Sequence, residues 1–221
     1  MKTGKSGFMQ SAVAFQPKAA LRRMRDQESP YPDIEGALIC GGKSRRFGSD
    51  KRLYSLHGKS LFEIAFEKLS ALSVATYAVF RDEVPEPFRN YPAIFDCQKY
   101  EGPIAGLIAA LERLNSDYLL ILPCDLPHVS IEFLRFLCSF REKGKVVVPF
   151  SDRLDPLVTI YPKEILGPIR AFADAGGSSL SQFIEQLNPD QKRILRKEEW
   201  IAAGFSKLEL TNYNFSAAFP A

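Results

Sequence analysis

The sequence predicts an α/β fold built on a single doubly wound, mostly parallel sheet with helices on both faces. Three observations carry that expectation. From Gly36 onward, short apolar runs alternate with stretches of helical periodicity. Residues 118–122 (Tyr-Leu-Leu-Ile-Leu) form a near-continuous apolar run, of the kind buried on both faces of a parallel sheet. Glycines and carboxylates follow directly after the apolar runs, where the carboxyl ends of strands would gather on one rim.

Taken in order, the first strand is expected over 36–40, ending at the Gly41-Gly42 pair. Leu61, Ile64, Ala65, Leu69 and Leu72 fall on one face of a helix over 60–72. Strands follow over 74–80, before the Pro85/Pro87 loop, and over 93–95. Pro103 suits the first turn of a helix, and 104–114 continues it as an apolar helix. After the central strand at 118–122, Ser130 is placed to cap a helix over 131–140. Further strands are expected at 145–150, 157–161 and 207–210, and helices at 162–172 and 179–187, with a break at Gly176-Gly177. No internal repeat or low-complexity segment interrupts the pattern.

Residues 1–33 differ from the rest. Lys2, Lys5, Lys18, Arg22, Arg23 and Arg25 make this stretch basic, no periodicity is sustained, and Pro30-Tyr31-Pro32 separates it from the first strand. It is expected to be a disordered leader outside the fold, or the product of a start upstream of Met9 or Met24. Residues 34–221 then form one domain, ordinary in size, and the chain as a whole, at 46% hydrophobic residues, is able to bury a core.

Charge and composition exclude several functions. Lys and Arg total 29 against 26 acids, and a net charge of +3 is too small to argue for a nucleic-acid partner. No apolar run approaches the ~20 residues that span a bilayer, so no membrane association is expected. Cys40, Cys97, Cys124 and Cys138 include no C-x-x-C pair, which suits a reducing cytoplasm. The first three are expected to be small buried residues rather than a metal site. His57 and His128 stand alone and read as turn or surface residues.

Two stretches carry chemistry. In Leu38-Ile39-Cys40-Gly41-Gly42-Lys43-Ser44-Arg45-Arg46-Phe47-Gly48-Ser49-Asp50-Lys51, a strand ends in glycines whose backbone N–H groups can approach a phosphate closely. Arg45, Arg46 and Lys51 add positive charge where a triphosphate would lie. This is not a P-loop, because Ala37 stands where its first glycine belongs, and the dinucleotide fingerprint Gly-x-Gly-x-x-Gly is also absent. The second stretch is Leu122-Pro123-Cys124-Asp125-Leu126-Pro127. A carboxylate held between prolines at a strand end is suited to a hard cation such as Mg²⁺, which takes one or two carboxylates plus phosphate oxygens.

The first stretch resembles the nucleotidyltransferase signature Leu-x-Gly-Gly-x-Ser-x-Arg-Met/Phe-Gly-x-Asp-Lys. With Gly-Gly, and Asp just before Lys, it is similar to the molybdenum cofactor guanylyltransferases, the MobA family. Pro123-Cys124-Asp125-Leu126-Pro127 resembles that family's Pro-Cys-Asp-x-Pro, and the 96–106 segment resembles its Asp-(several)-Gly-Pro-Leu-Ala-Gly. Arg153-Leu154-Asp155-Pro156-Leu157 followed by Tyr161 looks like the family's pterin-side strand, and Asn212-Tyr213-Asn214 like its terminal Asn-x-Asn. The likeness covers about 36–214.

The resemblance implies a Rossmann-like nucleotidyltransferase fold, with 34–127 as nucleotide-binding half and 128–221 as pterin-side half. It implies transfer of GMP from GTP to the phosphate of molybdopterin or Mo-molybdopterin, with release of pyrophosphate. It further implies catalytic roles for Lys51, Arg46 and Asp125, with Mg²⁺ on Asp125. By the same resemblance Ile39, Cys40, Gly41, Gly42, Lys51, Asp96 and Asp125 are expected to bind the nucleotide, with Asp96 reaching ribose or base. GTP and molybdopterin are the expected partners, with cofactor-maturation proteins and molybdoenzyme apoproteins as further candidates. Two departures stand out. The second strand usually ends in Asn or Ser, where this chain reads Val79-Phe80-Arg81, and no Arg accompanies Gly176-Gly177-Ser178-Ser179. The alternatives are a molybdopterin cytidylyltransferase, a sugar-phosphate nucleotidyltransferase, or a non-catalytic nucleotide-binding maturation partner.

Overall fold

The computed structural model describes residues 30–41 and 51–211. Strand β1 (Ile34–Ile39) leads, and a hairpin of β2 (Ser55–Leu56) and β3 (Lys59–Ser60) runs into helix α1 (Leu61–Ser70). There follow β4 (Ala75–Phe80), β5 (Ala93–Phe95), α2 (Pro103–Arg113), β6 (Tyr118–Pro123), α3 (Ile131–Ser139), β7 (Val146–Phe150) and β8 (Thr159–Pro162). The described part continues with α4 (Leu166–Asp174), α5 (Leu180–Gln186), β9 (Lys192–Arg196) and α6 (Lys197–Ala202).

The main sheet has the order β5-β4-β1-β6-β8-β7-β9. Strand β8 runs antiparallel to β6 and β7, and the remaining pairs are parallel. The doubly wound, mostly parallel α/β architecture expected from the sequence is therefore present, with β8 as its reversed strand. Side chains alternate between the two faces along β1: Leu38 joins the core beneath α1, α3 and α6, while Ala37 and Ile39 join the core beneath α2, α4 and α5. Phe62, Phe133 and Trp200 fill the first core and Ile104, Ile169 and Phe183 the second, each at most 3% exposed. Burial of one such side chain stabilises the fold by about 1.5–3 kcal/mol.

Caps fix the helix starts. Ser60 and Glu63 exchange bonds in a capping box at α1, and the Ser130 hydroxyl accepts from Phe133 N at 3.0 Å at α3. The β2–β3 turn places His57 at φ 52° and Gly58 at φ 82°, both in the left-handed region that a two-residue hairpin needs.

Four expectations are corrected. Residues 207–210 form turns, not a strand; the buried Glu209 carboxylate there accepts from Ser130 N at 2.7 Å and Ser130 Oγ at 3.0 Å. The last strand among the described residues is instead β9, an edge strand reading Lys-Arg-Ile-Leu-Arg, whose charge hides it from a search for apolar alternation. The strand expected at 157–161 begins at Thr159. The helix expected from 162 begins at Leu166, after a single 3-10 turn at Lys163–Ile165. Among the described residues, no helix is long and apolar enough to cross a membrane.

The basic residues of the leader lie outside the described residues, but Tyr31 does not. Its ring lies 4.9 Å from the Arg141 guanidinium and packs against the first core, while Arg141 Nε donates to Asp33 Oδ2 at 2.7 Å. The weight of the ring is read by comparing a chain starting at Pro30 with a shorter one. One starting at Asp33 loses the ring and about 1 kcal/mol, a fall of roughly 2–4 °C in a thermal melt.

Candidate functional site

Strands β4 and β5 lie to one side of β1 and β6 to the other, so the winding reverses between β1 and β6. Ligands of such sheets sit outside the strand ends at this reversal. The register pairs Ile39 with Pro123, which sets Cys40-Gly41 beside Cys124-Asp125. Cys40 and Cys124 are both buried, with their sulfurs 3.6 Å apart. Their mutual hydrogen bond and burial raise the Cys124 thiol well above its ordinary value, so it is protonated. These two pack beneath the rim, as expected; Cys97, expected to be buried as well, is half-buried.

Gly41 is exposed at the rim, and Ile39 is buried beneath it. Asp125 is half-buried in the turn after β6. That turn is pinned from α1, where Lys68 Nζ donates to the Pro127 carbonyl at 2.7 Å, and burial lowers the Lys68 pKa. Among the described residues, no group of three or more His, Cys, Asp or Glu side chains could form an all-protein metal cage. A lone rim carboxylate fits Mg²⁺ only where substrate phosphates and water complete the shell, the manner in which Mg²⁺ is usually bound to nucleotides.

Gly42 and Arg46 lie outside the described residues, as do Asn212 and Asn214. Lys51 opens a one-turn 3-10 helix, Lys51–Leu53. The next residue, Arg52, returns this segment to the rim. Its Nη1 donates to the Cys40 carbonyl at 3.3 Å, and its guanidinium lies 5.6 Å from the Phe80 ring and 5.8 Å from the Phe88 ring. Those rings belong to an aromatic stack in which Phe62 and Phe88 are 4.1 Å apart and Tyr91 meets Phe62 edge-on at 4.9 Å. The stack is the floor on which the start of the Lys51 turn is fixed.

Beyond β1, at the ends of β4 and β5, Arg81 meets Asp96. Arg81 Nη1 lies 3.3 Å from each Asp96 carboxylate oxygen and donates to the Tyr100 carbonyl at 2.7 Å. Burial raises the Asp96 pKa, and Arg81 opposes that shift. Gly102, at φ 72°, turns the chain into α2 immediately beyond. Ile39, Cys40, Gly41, Asp96 and Asp125 thus share one rim. Sequence reasoning missed Arg52 and Lys68 and read Arg81 only as a departure; the apolar residues on which Arg52 rests are far from it in the chain.

The same rim carries Asp155, beyond the end of β7. Its backbone N–H donates to the Pro149 carbonyl at 3.1 Å, and its carboxylate accepts from Ser151 Oγ at 3.3 Å. Burial pushes its pKa up from 3.8 to about 6. Because the folded value is the higher, the stability this group contributes is complete below about pH 4 and is lost as pH rises through about 6. Asp155→Asn is therefore expected to stabilise the fold at pH 7–8 by about 1 kcal/mol after allowance for solvent screening, read as a higher melting temperature. The gain should disappear below pH 4 in a pH series of melts.

A family model described as the MobA-like NTP transferase domain matches residues 36–191. The chain belongs to this family. Relatives agree: a Geobacillus sp. (strain WCH70) protein named "Probable molybdenum cofactor guanylyltransferase" is 31% identical over 149 residues, 64% of this chain and 76% of the relative. A Bacillus cereus (strain G9842) protein of the same name is 33% identical over 161 residues, 69% of this chain and 80% of the relative. The crystal structure of molybdopterin-guanine dinucleotide biosynthesis protein A from Archaeoglobus fulgidus superposes with a TM-score of 0.67 at 25% identity, covering 81% of this chain and 92% of the other. The family's matched region includes both strand ends of the reversal and runs on past α5. At 14% identity and a TM-score of 0.56, a 4-diphosphocytidyl-2C-methyl-D-erythritol synthase from Anaerococcus prevotii shares the fold.

Proposed function

We propose that this protein transfers GMP from GTP to the phosphate of molybdopterin, forming the guanine dinucleotide and releasing pyrophosphate. The observation that carries this reading is family membership, at 31–33% identity to relatives bearing the guanylyltransferase name, together with Gly41 and Asp125 following the paired ends of β1 and β6 at the sheet's reversal. The pterin phosphate oxygen attacks the α-phosphorus of GTP; that P–O bond forms as the bond from the α-phosphorus to the bridging oxygen breaks, and pyrophosphate carries off the electron pair. An ionised phosphate needs no general base, so the chain's work is to position the substrates and stabilise charge.

In this reading the backbone of Ile39–Gly42 cradles the nucleotide, Lys51 and Arg46 stabilise the leaving pyrophosphate, and Asp96 holds the nucleoside. Asp125 holds Mg²⁺, which when bound neutralises phosphate charge. The basic leader of residues 1–33 takes no part in catalysis; 34–127 serves the nucleotide and 128–221 the pterin. The four cysteines are free thiols, which supports action in the cytoplasm. Maturation proteins and molybdoenzyme apoproteins are the further partners of this reading. Pyrophosphate release with molybdopterin and GTP, CTP or ATP tests the assignment, with GTP expected to be fastest. A preference for CTP would replace it with cytidylyl transfer, and no release with any nucleotide would favour a non-catalytic binding role.

A further inference from the structure

Arg81 is a rim cation that neither the packing of the sheet nor phosphate chemistry explains. It stands one residue past β4, and its contacts with Asp96 and the Tyr100 carbonyl all use one nitrogen, Nη1. Gln98 Nε2 fixes the same corner, donating to the Arg81 carbonyl at 2.6 Å and to Asp96 Oδ1 at 3.4 Å. Among the described residues, Arg81 Nε and Nη2 make no hydrogen bond. The Arg81 side chain remains 33% exposed, whereas that of Asp96 is 7% exposed. A guanidinium is thus anchored at one nitrogen with the rest of its planar fork left to donate, beside a sheltered carboxylate left to accept.

The direction in which a nucleotide would lie brings its base to this corner. In the guanylyl-transfer reading the phosphate-binding Gly41 and the metal-binding Asp125 follow just after β1 and β6, the two central strands at the reversal. On the far side of β6 the next strand is β8, which is antiparallel, so its carboxyl end lies on the opposite rim. On the near side, β4 and β5 both end on the same rim as β1, with Arg81 and Asp96 at their ends. A nucleoside leading away from the phosphates over β4 and β5 meets this pair.

Guanine is the common base that presents two adjacent donors, N1–H and the exocyclic amine, followed by two acceptors, O6 and N7. A carboxylate matches the donors, and a guanidinium fork matches the acceptors. Adenine would turn its 6-amino group toward the guanidinium, donor against donor, and a pyrimidine has no N7 to offer. We infer that Arg81 is a specificity-determining residue, donating to O6 and N7 of guanine while the neighbouring Asp96 accepts from N1–H and the amine. This inference rests on the guanylyl-transfer reading above.

The test pairs a change in the protein with a change in single atoms of the base. Full-length protein and its Arg81→Gln variant are assayed with molybdopterin and GTP, 7-deaza-GTP (no N7) or 6-thio-GTP (a weak acceptor at position 6). The unaltered protein is expected to favour GTP over each analogue by roughly tenfold to a hundredfold in kcat/KM. In Arg81→Gln the GTP value should fall to that of the analogues, collapsing both ratios toward one, and Arg81→Lys, which keeps the charge but loses the fork, should recover little of the N7 ratio. A purely structural role for Arg81 would depress all three nucleotides alike and leave the ratios unchanged, which would overturn the inference. Failure of the guanylyl-transfer reading appears separately, as CTP outperforming GTP with the unaltered protein.

Discussion

Asp125→Asn is expected to lower turnover by roughly a hundredfold or more, because a carboxylate that neutralises phosphate charge through a cation acts on the transition state and is worth several kcal/mol. The fold should survive the change. Asp125 is half-buried in a turn whose position is set by its neighbours: Leu126 is 5% exposed, and Lys68 grips the Pro127 carbonyl at 2.7 Å. An amide of the same shape leaves those contacts intact, so a thermal melt should change little. The signature lies in the metal dependence. An amide oxygen is a weaker ligand for a hard cation than a carboxylate, so half-maximal activity should need more Mg²⁺, and part of the lost rate should return at high concentration. Turnover and Mg²⁺ dependence identical to the unaltered protein would remove Asp125 from the metal role and leave it a turn residue.

How much of this was readable in advance depends on how local the signal was. The Gly41 turn and the 123–127 segment are contiguous, and each announces its strand end through a run of apolar residues followed by glycine or proline. The central strands β1, β4 and β6 are buried on both faces and carry the strong apolar pattern that burial requires. Strand β9 fails that test because it lies at the edge, with Leu195 as its one fully buried side chain. The stretch at 207–210 deceives for the opposite reason. Leu208 and Leu210 alternate like a strand, yet Leu208 is exposed and Glu209 is buried, because the carboxylate satisfies the N-terminus of α3. Arg81 and Asp96 are 15 residues apart in the chain, and only the β4–β5 pairing brings them together. Tertiary pairing decided these cases, and no window of sequence contains it.

Lys51→Ala is expected to match Asp125→Asn in size, a loss of roughly a hundredfold in turnover, but through different physics. A lysine acts as a fixed point charge on phosphate oxygens, so its removal cannot be repaired by adding Mg²⁺, and the loss should be the same at every metal concentration. Lys51→Arg should restore part of the rate, since charge is kept while the geometry changes. The adjoining residue supplies the control. Arg52 is tied to the Cys40 carbonyl and lies over Phe80 and Phe88, so it places the Lys51 turn against the end of β1. Arg52→Met keeps much of the apolar packing but loses the bond to the strand end and the attraction to the rings. It should raise the KM for GTP and lower kcat less than Lys51→Ala does, because the cation remains present but is less well held. Equal kcat losses for the two variants would mean that Arg52 itself meets the phosphates. A Lys51→Ala enzyme that regained full rate with added Mg²⁺ would show that Lys51 serves only to gather charge at the rim.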